Sequence, residues 1–123
     1  MKRIAFKMKL KTGFETEYKR RHNAIWAKLK EELSKAGIYD YSIFLDRKTL
    51  DLFAVQKLKD DHTIDQLPSQ EIMRKWWDYM KDIMETNPDH SPITVSLEEV
   101  FHLDWRVFYL RDIKSLKLRK YNF

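Results

Sequence analysis

The stretch Tyr18-Lys19-Arg20-Arg21-His22-Asn23 lies inside a longer segment, residues 14–36, whose apolar residues recur at the period of an α-helix. When His22 is included, the spacings along this row are four, four, three, four, four and three residues, which predicts one helix with an inward face. The row consists of Phe14, Tyr18, His22, Ile25, Leu29, Leu33 and Ala36. A titratable imidazole is therefore expected on the buried side, one turn from a tyrosine.

The two ends of this helix carry recognisable patterns. Thr12 and Glu15 form a T-x-x-E pattern, which predicts a capping box at the start of the helix. Gly37 is placed to end the helix in the left-handed conformation.

Alternating segments lie on both sides of the helix. Residues 3–11 alternate between apolar residues and lysines, which predicts a strand with a lysine-coated outer face. Residues 39–45 and 50–58 alternate around a polar turn, which predicts a β-hairpin. A second helix is predicted over residues 70–85 with Ser69 as N-cap, followed by a loop at 87–92 and a final strand within 93–103. The disturbed alternation at Glu98-Glu99 predicts a bulge in that strand.

The order strand, helix, strand, strand, helix, strand indicates an α+β fold of the ferredoxin-like βαββαβ type. Its helices cover one face of an antiparallel sheet and leave the other face open. In a chain of 123 residues we expect a second copy to cover that face, giving a homodimer.

The formal net charge of +5 is confined to the end of the chain. Residues 1–104 hold 18 Lys/Arg and 18 Asp/Glu, whereas residues 105–123 hold six Lys/Arg and one Asp. We therefore expect a domain over 1–104 and a basic C-terminal extension over 105–123 that packs on the body or on the dimer mate. Because residues 1–104 carry no net charge, we do not expect them to bind nucleic acid. In residues 105–123 aromatic residues alternate with cations, a pattern that could suit nucleic-acid binding by this segment.

The chain has no cysteine, no apolar run of the ~18 residues that a membrane helix needs, and no apolar block after Met1-Lys2-Arg3-Ile4. These features predict a cytoplasmic protein without a membrane partner.

His22 has two readings. A single histidine on an apolar face is most often a packed, hydrogen-bonded residue, but an ordinary pKa near ~6.5 also suits proton transfer at neutral pH. Tyr18 one turn away and the flanking Arg20 and Arg21 favour a functional role.

Three aromatic residues are further candidates for the site. Trp76 and Trp77 diverge by ~100° on a helix, so they are either one core and one rim residue or a platform for the apolar face of a sugar. Tyr41 is either a residue of the sheet core or part of the same pocket. The spacing of the other histidines does not favour a metal site, and no glycine-rich phosphate loop is present.

Several blocks closely resemble the L-rhamnose mutarotase family, in order and spacing, over roughly residues 1–103. They are Tyr18–Trp26 (YKRRHNAIW), Tyr41–Asp46 (YSIFLD), Trp76–Met84 (WWDYMKDIM), Asn87–Pro92 (NPDHSP) and Glu99–Leu103 (EVFHL). The resemblance implies a dimeric α+β barrel that interconverts the α and β anomers of L-rhamnose without a cofactor. It further implies that His22 is the proton donor and that Tyr18, Tyr41, Trp76 and Trp77 contact the sugar.

The resemblance does not extend to the basic tail, and it does not fix which deoxy-sugar is bound. Two alternatives stay open on fold grounds: a cofactor-independent monooxygenase of the dimeric α+β barrel type, and a sugar-binding module without catalytic activity.

Overall fold

A computed structural model describes residues 2–104, so the expected extension at 105–123 lies outside the described residues. The elements are β1 (Lys2–Lys9), α1 (Glu15–Asn23), α2 (Ala27–Lys35), β2 (Ile38–Leu45), β3 (Asp51–Leu58), a 3-10 helix (Ile64–Ser69), α3 (Glu71–Met80) and β4 (Val95–Leu97). In this part of the chain, no helix has the length and apolar character needed to cross a membrane.

The four strands form one antiparallel sheet in the order β2-β3-β1-β4. The predicted hairpin is confirmed, since β2 and β3 pair from Leu45↔Leu52 to Ile38↔Leu58 with one irregularity between Ile38 and Asp40. The chain is therefore an α+β protein built on a four-stranded antiparallel sheet.

The core lies between one face of this sheet and the helices. The largest side chains less than 2 % exposed come from β3, α2, the residue after β1 and the segment after α3: Leu10, Leu29, Leu52, Leu58 and Ile83. Burying each such aliphatic side chain stabilises the fold by roughly 1.5–3 kcal/mol. The opposite sheet face carries no helix in the described structure, and large apolar side chains there are exposed, Phe44 to 64 % and Val95 to 50 %.

The prediction of one helix over 14–36 is wrong. The chain leaves the helix after Asn23 and re-enters at Ala27, and Trp26 has the extended backbone angles φ −63° and ψ 134°. The indole of Trp26 packs edge-on against Trp76, with ring centroids 5.0 Å apart, and lies 5.5 Å from the ring of Tyr79. This aromatic packing accompanies the break, although the segment contains neither proline nor glycine.

Both predicted N-terminal caps are also wrong. The N-cap of α1 is Phe14 and that of α3 is Gln70, and neither makes a side-chain capping hydrogen bond. Helix α3 ends at Met80 because the following chain turns back to the sheet, where Met84 forms a β-bridge with Leu10.

Gly37 ends α2 as predicted. Its φ is +98°, and its N–H donates to the carbonyl of Ser34 at 3.0 Å. A Cβ at this position would lie 2.9 Å from the Cα of His62, so glycine is needed for space as well as for conformation.

The final strand is shorter than predicted. Only Val95–Leu97 pair with β1, and Glu98-Glu99 end the strand instead of forming a bulge within it. Beyond Leu97 the ladder is replaced by a side-chain ion pair, in which Arg3 Nη2 lies 3.0 Å from Glu99 Oε1. The apolar side chains that follow are exposed, with Val100 at 87 % and Phe101 at 77 %.

Candidate functional site

A cavity of about 1110 Å³ lies between the helices and the inner face of the sheet. All five residues predicted for the site line it: Tyr18, His22, Tyr41, Trp76 and Trp77. They come from three elements, since α1 carries Tyr18 and His22, β2 carries Tyr41, and α3 carries the tryptophan pair. The structure thus brings together side chains that are up to 59 residues apart in sequence.

Tyr18 and His22 lie one turn apart on α1, as predicted, and their rings are stacked. Their ring centroids are 4.2 Å apart with an angle of 27° between the planes, and His22 Nδ1 lies 3.1 Å from the carbonyl oxygen of Tyr18. Because a carbonyl oxygen only accepts, Nδ1 carries the hydrogen of this bond. In the neutral ring Nε2 is therefore the basic nitrogen.

Burial sets the charge state of both side chains. Desolvation lowers the pKa of His22 below its ordinary value, and the hydrogen bond to the Tyr18 carbonyl offsets only part of that effect. Burial raises the pKa of Tyr18 well above its ordinary value, and the nearby Tyr41 adds to the effect. At neutral pH the pair is a neutral imidazole next to a neutral phenol.

The two tryptophans have different surroundings. Trp76 is 6 % exposed, and its ring meets that of His22 edge-on with centroids 5.4 Å apart. Trp77 is half-buried and lines the cavity from the next position on α3. One indole therefore belongs to the core and the other to the rim, and both contribute to the cavity wall.

Tyr41 is held by a residue that the sequence reasoning missed. Gln56 is its cross-strand partner on β3, is 6 % exposed, and has a side-chain amide that acts to lower the pKa of Tyr41. Tyr41 is 38 % exposed, and desolvation of its phenol group on the cavity wall raises its pKa. The sequence contained a hint, because Gln56 is the polar member of the otherwise apolar row Leu52, Ala54, Gln56 and Leu58.

The loop at 87–92 supplies further polar groups that were not predicted. Asn87, Asp89 and Ser91 line the cavity. The Asn87 N–H donates to the Ser91 carbonyl at 2.8 Å, and the Ser91 hydroxyl donates to the Asp89 carboxylate, which lowers the pKa of Asp89. These groups can exchange hydrogen bonds with hydroxyl groups of a ligand.

The remaining wall is apolar. Phe6 and Met8 on β1, Ile43 on β2 and Met73 on α3 line the same cavity. The combination of aromatic faces, a few polar groups and an apolar recess fits a small uncharged ligand with both hydroxyl and methyl groups. Within residues 2–104, no group of three or more His, Cys, Asp or Glu side chains could hold a metal ion.

Comparison with known proteins gives a consistent result. Residues 3–103 match the family model for L-rhamnose mutarotase. The chain is similar to the L-rhamnose mutarotase of Flavobacterium johnsoniae, with 63 % identity over 102 residues, covering 83 % of this chain and 95 % of that one. Its identity to the L-rhamnose mutarotase of Phocaeicola vulgatus is 58 % over 104 residues, covering 85 % of this chain and all of the relative.

The fold is similar to a solved structure as well. The crystal structure of the L-rhamnose mutarotase from Formosa agariphila superimposes with a TM-score of 0.79 and 48 % identity, covering 85 % of this chain and 100 % of that one.

Proposed function

The chain belongs to the L-rhamnose mutarotase family, and on this premise we propose that it is an isomerase that interconverts the α and β anomers of L-rhamnose, with His22 as the proton donor. The observation that carries the assignment of His22 is its hydrogen bond to the Tyr18 carbonyl at 3.1 Å. That bond occupies Nδ1 and leaves Nε2 as the nitrogen that exchanges protons with the sugar.

The chemistry requires two proton movements. In the protonated fraction of His22, Nε2 gives a proton to the ring oxygen and the bond between that oxygen and the anomeric carbon breaks, while a water molecule or a nearby hydroxyl group takes the proton of the anomeric hydroxyl as the aldehyde forms. After rotation about the bond between the first two carbons, the hydroxyl freed by ring opening adds to the other face of the aldehyde, its proton returns to Nε2 of His22, and the aldehyde oxygen takes back the proton that the water molecule or hydroxyl group had accepted. Both anomers have the same oxidation state, so the reaction needs no oxidant or reductant, and the proposed steps use acid–base groups alone.

A histidine with a lowered pKa serves both directions of this exchange. Its conjugate acid is a stronger donor than an exposed imidazolium, and the neutral ring that results can take a proton back. Positioned acid–base catalysis of this kind contributes on the order of 10²–10⁴-fold.

The aromatic residues hold the substrate in this proposal. The faces of Tyr18, Trp76 and Trp77 pack against the apolar side of the pyranose ring, and the Tyr41 hydroxyl, oriented by Gln56, hydrogen-bonds to a sugar hydroxyl. The 6-deoxy methyl group occupies the apolar recess near Phe6, Met8 and Ile43.

The protein is a homodimer of the ferredoxin-like, dimeric α+β barrel type in this proposal. The strand order and the βαββαβ arrangement of the described elements support the fold, since α1 and α2 together fill the place of the first helix. The exposed outer face of the sheet, with Phe44 and Val95, supports a second copy as the missing cover.

The remaining assignments follow from the sequence and from the reaction. We assign residues 1–104 to the mutarotase domain and the basic segment 105–123 to an extension that packs on the body or on the dimer mate. A cytoplasmic location fits an enzyme that acts on a free sugar in metabolism.

Saturation-transfer NMR on L-rhamnose tests the function. The protein is expected to accelerate exchange between the anomeric proton signals, and His22→Ala is expected to abolish that acceleration while keeping the fold. His102→Ala, at an exposed histidine, is the matched control and should behave like the parent protein. Unchanged exchange with the parent protein would reject the proposal in favour of a binding module or an oxygen-dependent enzyme of the same fold.

A further inference from the structure

Arg21, the residue before His22, is a buried arginine whose side chain is 9 % exposed. Burying a guanidinium group is unfavourable unless it is paired and hydrogen-bonded. Arg21 lies on α1 next to the proposed proton donor, yet it does not line the large cavity described above. Its role therefore has to be found in its partners.

Those partners lie on two elements. Nε of Arg21 lies 2.7 Å from Glu17 Oε2 on α1. Nη1 and Nη2 lie 2.8 Å and 3.1 Å from the two carboxylate oxygens of Asp82, just beyond the end of α3, and Nη1 also donates to the carbonyl of Tyr79 at 2.8 Å. The guanidinium carbon is 4.4 Å from the centre of the Tyr79 ring. Paired N–H···O bonds of this kind fix direction as well as distance.

Both carboxylates are held in their charged form. Hydrogen bonds from Arg20 and Arg21 lower the pKa of Glu17 to about 2, and the hydrogen bond from Arg21 lowers the pKa of Asp82. The three charges therefore persist across the pH range in which His22 titrates.

Helix α1 depends on such anchors. It has nine residues, no side-chain cap, and only Tyr18 and Arg21 buried. A helix of this length is not stable by itself in water, so its position is set by its contacts with the rest of the protein. Tyr18 anchors its cavity side, and Arg21 anchors it to the end of α3.

The contacts of Arg21 continue to the site through aromatic rings. The Tyr79 ring lies 5.6 Å from that of Trp76, and Trp76 meets the imidazole of His22 at 5.4 Å. Arg21 and His22 are adjacent on α1, and both are connected to α3: Arg21 through Tyr79, and His22 through Trp76. A shift of the guanidinium group would move the imidazole relative to Trp76.

We propose that Arg21 is a positioning residue of the mutarotase reaction: its ion pairs with Glu17 and Asp82 fix α1 against the end of α3 and so hold the His22 imidazole against Trp76. The proposal rests on the function proposed above. Arg21 acts through His22 and does not touch the sugar.

The test compares Arg21→Lys and Asp82→Asn with Arg20→Lys as matched control. Arg20 pairs with the same Glu17 carboxylate, at 2.6 Å, but its side chain is 60 % exposed. We expect kcat for anomer exchange to fall roughly 10- to 100-fold in the first two variants, because a displacement of about 1 Å can cost that much. KM should stay within about threefold, since the aromatic walls are unchanged, and Arg20→Lys should keep nearly the parent kcat.

A second measurement separates positioning from stability. The Cε1–H resonance of His22 senses the ring current of Trp76, and we expect it to shift in Arg21→Lys and Asp82→Asn but not in Arg20→Lys. Near-ultraviolet circular dichroism gives the folded fraction of each variant. Asp82→Asn keeps the guanidinium group and its Glu17 partner. If Arg21→Lys does not fold, the kcat and the His22 resonance of Asp82→Asn therefore test the positioning role.

The proposal is overturned if the folded variants keep the parent kcat and the parent His22 resonance. It is also overturned if activity falls only in proportion to the unfolded fraction, or if neither variant folds, because Arg21 then serves stability alone. If the parent protein does not accelerate anomer exchange, the proposed function is wrong. In that case the His22 resonance is the measurement that shows whether Arg21 positions the imidazole.

Discussion

The imidazole of His22 lies against the ring of Tyr18, with centroids 4.2 Å apart, and its Nδ1 donates to the backbone carbonyl of the same residue. One tyrosine thus supplies both a wall and a hydrogen-bond acceptor for the histidine. The ring orientation is set within a single turn of α1, so it persists only while that turn stays helical.

Stability should depend on pH through His22. Burial lowers the pKa of its folded form, so the unfolded chain binds the extra proton first as the pH falls. The stability of the parent protein is therefore complete above the ordinary histidine pKa of ~6.5 and decreases as the pH falls through that value towards the lower pKa of the folded state. Urea unfolding from about pH 8 to about pH 5 should show a steeper decline than in His22→Gln. Parallel curves for the two proteins would contradict this expectation.

Substitutions of Trp76 and Trp77 should have different effects, one mainly on stability and the other mainly on sugar binding. Trp76→Ala removes a side chain that is 6 % exposed and packs on three aromatic rings, so we expect a loss of ~3–5 kcal/mol in the free energy of unfolding. Trp77→Ala should cost less stability but raise KM for L-rhamnose about tenfold, which corresponds to ~1.4 kcal/mol. Thermal unfolding and exchange kinetics measure the two effects, and equal stability losses would refute the distinction.

Gln56→Leu should be destabilising although it adds apolar surface. The substitution removes the polar partner of the Tyr41 hydroxyl on β3, and a side-chain hydrogen bond between two such groups contributes roughly 0.5–1.5 kcal/mol. Adding Tyr41→Phe removes the orphaned hydroxyl and should recover part of that loss. A double-mutant cycle in urea measures the coupling, and strict additivity of the two changes would argue against the hydrogen bond.

Phe44→Asp should convert the proposed dimer to a monomer. Phe44 is 64 % exposed on the outer sheet face, where a carboxylate would oppose burial against a second copy. Sedimentation equilibrium should give the dimer mass for the parent protein and the monomer mass for the variant. Gln66→Asp adds a charge at an exposed position in the 3-10 helix and should leave the dimer intact. A monomeric parent protein would remove the basis of the dimer proposal.

The succession of strands and helices could be predicted because side chains repeat every two residues on a strand and every 3.6 on a helix. The break between α1 and α2 at residues 24–26 could not be predicted from this periodicity. It contains no proline or glycine, and its most prominent partners, Trp76 and Tyr79, are about 50 residues away in sequence. The end of β4 escaped prediction for a related reason, since pairing with β1 stops at Leu97 although the apolar residues continue.

Within the site, local geometry was predictable and tertiary partners were not. The pairing of Tyr18 and His22 follows from a spacing of one helical turn. The partners that Arg21 finds at the end of α3 could not be predicted, because Asp82 lies 61 residues away in sequence. That Tyr41 lies near the tryptophans was implied by family resemblance and not by periodicity.

The gap between α1 and α2 has a consequence for the order of folding. As one continuous helix, residues 14–36 would share hydrogen bonds along their whole length, but the nine residues of α1 cannot draw on those of α2. We therefore expect α1 to form late, after the sheet and α3 offer the surfaces on which Tyr18 and Arg21 rest, and to open early. Its amide protons should exchange with solvent sooner than those of β1 and β3, so loss of activity on heating should precede global unfolding.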